Sequence, residues 1–131
     1  MPYINIRLGK NLEPYQHAEL YKRTTELMDR VMGKRREVTV VHIQESPPHY
    51  WAKNAIALSP DDPAGVFVDI KVTRGTNTAG EKAEMLSQIV RMLKDVAGAV
   101  QEACYVVIDD IAADSWGYNG VTQAKRAAEK L

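Results

Sequence analysis

The chain opens with MPYINIRL, residues 1–8, in which apolar and polar residues alternate. Ile4, Ile6 and Leu8 fall on one face of an extended segment, so the pattern predicts a β-strand with one buried face. Pro2 directly follows Met1, and a Met-Pro start is usually trimmed because the small proline side chain suits the methionine-removing enzyme. Trimming leaves a secondary amine, which can act as a base or a nucleophile at a fixed point of the strand. Proline is also common at position 2 of proteins in which it has no function. Whether Pro2 is functional here must therefore be judged from the rest of the chain.

Length and charge limit the class of protein. The chain has 131 residues, which suits one domain with its own hydrophobic core. Its 17 basic residues balance 17 acidic ones, giving a formal net charge of zero. A nucleic-acid-binding protein needs a basic face, so the balance predicts that nucleic acid is not a partner. A small anionic substrate is still compatible, since it needs only one or two local cations.

The sequence predicts neither a metal nor a cofactor. Cys104 is the single cysteine, which excludes an internal disulfide and a thiolate cluster and predicts a buried structural thiol. His17, His42 and His49 lack metal-ligand spacing, and there is no glycine-rich phosphate loop. Without a transmembrane-length apolar run or a signal peptide, we expect a cytoplasmic protein that has no membrane partner.

A helix and a second strand follow the first strand. The helix is predicted from about Pro14 to Met32, and Gly33 ends it. Its apolar stripe consists of Leu20, Thr24, Leu27, Met28 and Val31. The next strand is predicted over residues 38–43, which completes a β-α-β unit with parallel strands.

The same pattern then recurs. A strand is predicted over residues 66–72, and Thr78 and Glu81 form a capping box that starts a helix ending at Gly98. The apolar stripe of this helix consists of Leu86, Ile89, Val90, Leu93 and Val96. The last strand is predicted over residues 105–111.

The two units are also related in sequence. A shift of 65 positions pairs Gly33 with Gly98 and Trp51 with Trp116, the only two tryptophans. The first strands align at a shift of 64. We therefore predict one domain, residues 1–131, made of a first β-α-β unit (1–58), a linker (59–65) and a second unit (66–131).

These units predict an α/β (α+β) fold, with a four-stranded sheet and both helices on one face. The other sheet face still carries residues such as Tyr3 and Tyr105, so we expect it to pack against another subunit.

The combination of features resembles the tautomerase superfamily, and within it 4-oxalocrotonate tautomerase. The features are the N-terminal proline on a strand, the β-α-β units, and the closing segments YVVIDDI (105–111) and DSWGYNG (114–120). The resemblance is to a fused member, with two copies in one polypeptide. It implies that the proline amine is a general base on a small enol or unsaturated keto acid. It also implies a homotrimer in which each chain replaces one dimer of the hexameric short members.

The resemblance implies specific site residues. Pro2 is the catalytic base, and Val66 is its counterpart in the second copy, so one site per chain is expected. Trp51 aligns with the aromatic residue that lines the family's active site. Trp116 is expected to be structural or at a subunit contact.

The cations with which the family binds its substrate are missing at the aligned positions of this chain. By alignment, the positions of the family's two arginines are occupied by Leu12 and Val40 in the first copy and by Thr76 and Tyr105 in the second. Arg74, Lys34 and Lys10 lie nearby and are our candidates for binding the carboxylate of a small-molecule substrate.

Two alternatives stay open. A hydratase, dehalogenase or decarboxylase of the same superfamily would keep Pro2 protonated as an acid and activate water with a carboxylate or tyrosine. Glu45 and Asp114 are the carboxylate candidates for that role. The missing arginines are also compatible with an oligomeric protein that has the fold but no activity.

Overall fold

The computed structural model describes residues 1–129, which form two β-α-β units, two hairpins and a closing helix. The first unit comprises β1 (Tyr3–Leu8), α1 (Pro14–Arg30) and β2 (Val40–Glu45), followed by the hairpin strands β3 (Ala52–Lys53) and β4 (Ile56–Ala57). The second comprises β5 (Val66–Thr73), α2 (Ala79–Ala97) and β6 (Tyr105–Ile111), followed by the hairpin strands β7 (Gly117–Tyr118) and β8 (Val121–Thr122), and by α3 (Gln123–Glu129).

One four-stranded sheet joins the two units, in the order β2-β1-β5-β6. Strands within each unit are parallel, as predicted. The central pair, β1 and β5, is antiparallel, with Tyr3 opposite Lys71 and Leu8 opposite Val66. The start of β1 therefore lies beside the end of β5. Residues that correspond in the two repeats consequently lie at opposite ends of the sheet.

A continuous apolar core lies between one sheet face and the two helices, which confirms the predicted fold class. Ile4, Ile6 and Leu8 are fully buried, together with their counterparts on β5 and the inner faces of α1 and α2. On the outer face, the exposed apolar residues include Val40, Tyr105 and Val107. No helix among the described residues has the length and hydropathy needed to cross a membrane.

Helix α2 begins and ends where the sequence predicts. The Thr78 hydroxyl accepts a hydrogen bond from the Glu81 amide (3.1 Å), and the Glu81 carboxylate accepts one from the Thr78 amide (2.8 Å). Gly98 ends α2 with φ +91°, a backbone conformation that strongly favours glycine.

Several local predictions need correction. Helix α1 ends at Arg30, and β2 begins at Val40 because residues 36–38 form a 3₁₀ turn that the Thr39 amide closes on the Arg36 carbonyl (3.2 Å). Cys104 is only partly buried. The buried face of α2 consists of Met85, Ile89, Met92, Leu93 and Ala97, while Leu86 is exposed. Ile89 and Leu93 belong to the predicted stripe, and the two methionines and Ala97 complete the buried face.

Candidate active site

Pro2 is buried at the start of β1. Its carbonyl accepts a hydrogen bond from the Val40 amide (3.3 Å), which ties residue 2 to the neighbouring strand β2. Paired strands on both sides hold the following residues of β1 in place. The residue that would carry the terminal amine therefore has a fixed position.

A cavity of about 380 Å³ lies at Pro2. Its walls come from the start of β1, the turn before β2, the end of β5 and the β7–β8 hairpin. The lining residues are Met1, Pro2, Tyr3, Val38, Val40, Lys71, Trp116, Gly117 and Tyr118. The wall is largely apolar, which is typical of a small-molecule site.

The tryptophan of the second repeat forms one wall of this cavity. The Trp116 indole donates a hydrogen bond to the Thr73 hydroxyl (3.1 Å) at the end of β5. The hairpin behind it is tight, because a Cβ on Gly117 would lie 1.9 Å from the Val121 carbonyl oxygen. Sequence reasoning expected Trp116 to be structural or at a subunit contact. An antiparallel arrangement of the two units would have indicated its proximity to Pro2.

Within one chain, the structure does not bring Trp51 to Pro2. Trp51 lies at the opposite end of the sheet, and its indole donates a hydrogen bond to the Ser46 hydroxyl (2.8 Å). The ring packs on Gly9 and Gly65, where an added Cβ would lie 2.7 and 2.5 Å from the nearest ring atoms. It thus fills the end of the sheet where Val66, the counterpart of Pro2, begins β5.

Lys71 is the cationic side chain that sequence reasoning missed. It lines the Pro2 cavity, and its Nζ donates a hydrogen bond to Asp109 (2.9 Å) and lies 3.4 Å from Asp69. The hydrogen bond to Asp109 raises the pKa of Lys71 and lowers the pKa of Asp109. Lys71 lies near Pro2 because the antiparallel pairing of β1 and β5 sets it opposite Tyr3, and neither unit's sequence specifies that pairing.

The cations predicted from the sequence lie outside the lining of this cavity. Lys34 is buried after α1 and donates a hydrogen bond to the Thr76 hydroxyl (2.7 Å). Burial lowers the pKa of Lys34, against the attraction of nearby acidic groups. Arg74 is exposed in the turn after β5. Lys10 lies at the far end of the sheet, where its Nζ donates to the Ala97 carbonyl (2.5 Å).

The carboxylates proposed for water activation also lie elsewhere. Glu45 is at the far end of β2, where its Oε1 is 2.7 Å from His17 Nε2. Asp114 is absent from the cavity lining. Within residues 1–129, no cluster of three or more His, Cys, Asp or Glu side chains is placed to hold a metal ion.

The chain is similar to known proteins over most of its length. A family model described as tautomerase enzyme matches residues 2–54 and 67–126, one segment in each repeat. Probable tautomerase K2 from Dickeya dadantii (strain 3937) is 30% identical over 60 residues, which is 46% of this chain and 90% of that protein.

Solved structures share the fold across 95% of this chain. One is Pt0534 inactivated by 2-oxo-3-pentynoate, with a TM-score of 0.82 at 14% identity, covering 95% of this chain and 98% of that one. Another is the F6 fused 4-OT wild-type asymmetric trimer, with a TM-score of 0.82 at 18% identity and the same coverage of both chains. At these identities the likeness establishes the fold alone.

Proposed function

Because the chain belongs to the tautomerase family, we propose that it is a cofactor-independent keto–enol tautomerase of the 4-oxalocrotonate tautomerase type, with Pro2 as its general base. The observation that carries the proposal is the position of Pro2. It is buried at the start of β1 and lines a largely apolar cavity large enough for a small organic acid.

The chemistry requires removal of Met1, since the nitrogen of Pro2 is otherwise part of a peptide bond. The trimmed residue has a secondary amine, and burial in apolar surroundings favours its neutral form. The neutral amine takes the proton from the enol hydroxyl and, as the carbonyl forms, the resulting ammonium returns a proton to the enol carbon. The amine ends as it began, and no electrons leave the substrate.

The surrounding side chains suit an apolar substrate body. Trp116 and Tyr118 supply aromatic surfaces, and Val38 and Val40 complete the wall. Such a wall keeps water away from the base and strengthens the interactions inside the cavity. Neither carboxylate candidate for water activation lies there, which counts against hydration or dehalogenation through Glu45 or Asp114.

The proposal includes a homotrimer in the cytoplasm that acts on a small carboxylate and binds neither nucleic acid nor membranes. A related chain of the same fold is described as a trimer. Val40, Tyr105 and Val107 are exposed on the outer sheet face, where a second copy would cover them.

The test compares Met1-trimmed wild-type protein with trimmed Pro2→Ala, using phenylenolpyruvate and 2-hydroxymuconate as substrates. We expect Pro2→Ala to reduce kcat/KM by about 10²-fold or more, the usual scale of general base catalysis. Pro60→Ala, in the exposed linker, is the matched control and should have wild-type rates. Intact-mass spectrometry establishes the removal of Met1 beforehand. Equal rates for wild type and Pro2→Ala would refute the role of Pro2.

A further inference from the structure

A groove of about 280 Å³ adjoins the Pro2 cavity. Its lining residues are Met1, Arg35, Val38, Tyr118, Gln123, Arg126, Ala127 and Glu129. Met1, Val38 and Tyr118 line both spaces, so the groove and the cavity share a wall. The cavity wall is largely apolar, whereas the groove contains two arginines and an amide.

Arg126 is held firmly but is incompletely hydrogen-bonded. Its guanidinium carbon lies 3.7 Å from the centroid of the Tyr118 ring, and its Nη2 donates to the Tyr118 carbonyl (2.9 Å). Its Nε is buried without a hydrogen-bond partner among the described residues, and so is the side-chain nitrogen of Gln123. Buried donors without acceptors are rare and costly, so two of them in one groove indicate a missing acceptor.

The charges around the groove favour an anion. Among residues 1–129, no carboxylate forms an ion pair with Arg126, and the one ion pair of Arg35 is with Glu37 at 3.6 Å, where both side chains are largely exposed. Glu129 is the one carboxylate among the described lining residues. Lys71, across the Pro2 cavity, is less available because its ammonium group donates a hydrogen bond to Asp109 and lies 3.4 Å from the second carboxylate, Asp69.

Met1 lies at the boundary between the groove and the cavity, together with Val38 and Tyr118. Its removal frees the Pro2 amine and also removes a side chain that lines both spaces. Of the three residues shared by the two spaces, Val38 and Tyr118 would remain, so the loss of Met1 would widen the connection between the cavity lined by Pro2 and Trp116 and the groove lined by Arg126.

We infer that Arg126, assisted by Gln123 and Arg35, binds the carboxylate of the substrate, and that this subsite opens to Pro2 only when Met1 is removed. The matching substrate is a monocarboxylate with an apolar or aryl tail, whose tail packs in the cavity against Trp116. The inference rests on the proposed function, because it places the reacting carbon at Pro2.

The kinetic test uses trimmed protein with phenylenolpyruvate and with its methyl ester, which lacks the charge. Arg126→Gln should raise KM for the acid by roughly 10- to 100-fold, the value of a charge-assisted hydrogen bond. It should change kcat by less than about threefold and leave the ester unaffected, because the lost contact is with the carboxylate. Arg126→Lys should be intermediate, since it keeps the charge without the planar fork. Lys125→Gln, which removes an exposed cation from the same helix, should match wild type.

A binding test separates this inference from the proposed reaction. Isothermal titration calorimetry with cinnamate, an unreactive carboxylate, should show binding to trimmed protein. Binding should be roughly tenfold weaker or more for untrimmed protein and for Arg126→Gln. Cinnamamide, the uncharged analogue, should bind trimmed wild type and Arg126→Gln equally.

Gln123→Leu is a second variant that does not alter Arg126 or Tyr118, and it should also weaken cinnamate binding. It keeps the inference testable if Arg126→Gln disturbs folding. Wild-type affinity in the folded Gln123→Leu and Arg126→Gln variants would overturn the subsite. Equal affinity of trimmed and untrimmed protein would overturn the role of Met1. Arg126-dependent binding in a trimmed protein without tautomerase activity would refute the proposed function but leave the carboxylate subsite standing.

Discussion

Gly65→Ala tests the packing that closes the end of the sheet opposite Pro2. A Cβ at residue 65 would lie 2.5 Å from Trp51 Cδ2, 2.6 Å from Cε3 and 2.8 Å from Cγ. Carbon atoms in contact are normally about 3.5–4.0 Å apart, so the indole or the strand must move by about 1 Å. Trp51 has little room to move, because Gly9 lies against the same ring and Ser46 accepts its N–H. Overpacking of this kind costs about 1–3 kcal/mol of folding free energy, and we expect that loss.

The assay is urea unfolding at a fixed protomer concentration, since association adds to the stability of an oligomer. Gly80→Ala is the matched control. Its Cβ would have its nearest contact at 3.9 Å, and it lies in the first turn of α2. Alanine is better than glycine in a helix, so Gly80→Ala should gain about 0.5–1 kcal/mol.

A double variant identifies the cause of the loss. Trp51→Leu in the Gly65→Ala background should cost less than the two single effects together, because the smaller side chain removes the clash. The activity of folded Gly65→Ala per active site should remain at the wild-type level, since the substitution is at the far end of the sheet from Pro2. A Gly65→Ala protein within about 0.5 kcal/mol of wild type would refute the packing argument.

Two further predictions concern the cavity. Lys71 lowers the pKa of Asp109, so their stabilisation is present at neutral pH and is lost as the pH falls through the lowered native value, below 3.8. Urea unfolding should therefore show Lys71→Met less stable than wild type by roughly 0.2–1 kcal/mol at pH 7, with a smaller difference at pH 2.5; an undiminished difference would contradict the assignment. Trp116→Ala should lower kcat/KM about tenfold or more by admitting water, whereas Trp116→Phe should lose less because it keeps an aromatic wall. Trp51→Phe should leave the kcat/KM of the folded protein unchanged, and a loss equal to that of Trp116→Ala would contradict the assignment of the cavity wall.

The sequence predicted the elements of this fold because each carries its own local signal. Alternation along β1 identified a strand with one buried face, and the Thr78–Glu81 capping box fixed the start of α2. The predicted stripe of α2 is right for Ile89 and Leu93, which are buried, and wrong for Leu86, which is exposed. Met85 and Met92 are unbranched and adaptable, and together with Ala97 they complete the buried face.

The site was harder to predict because it depends on how the two units pair. Nothing local in either unit specifies whether β1 and β5 run parallel or antiparallel. The antiparallel pairing places Lys71 and Trp116 at Pro2, and it moves Trp51 to the other end. Arg126 lies in the last helix, far from Pro2 in sequence, so only the tertiary structure brings its groove to Met1.

The two ends of the sheet differ in the side chains that face their tryptophans. At the shift of 64 that aligns β1 with β5, Gly9 corresponds to Thr73 and Gly65 corresponds to Met1. Trp51 packs directly onto its two glycines because neither has a side chain, which closes that end over Val66. At the other end, the Trp116 indole donates its N–H to the Thr73 hydroxyl. The ring lines a cavity there and does not fill the space. Met1 occupies the position that corresponds to Gly65 at the closed end, and it lines the cavity. If Met1 is removed, as the proposed function requires, the end of the sheet that opens is the one without the packing glycines, and it is also the end that holds Pro2.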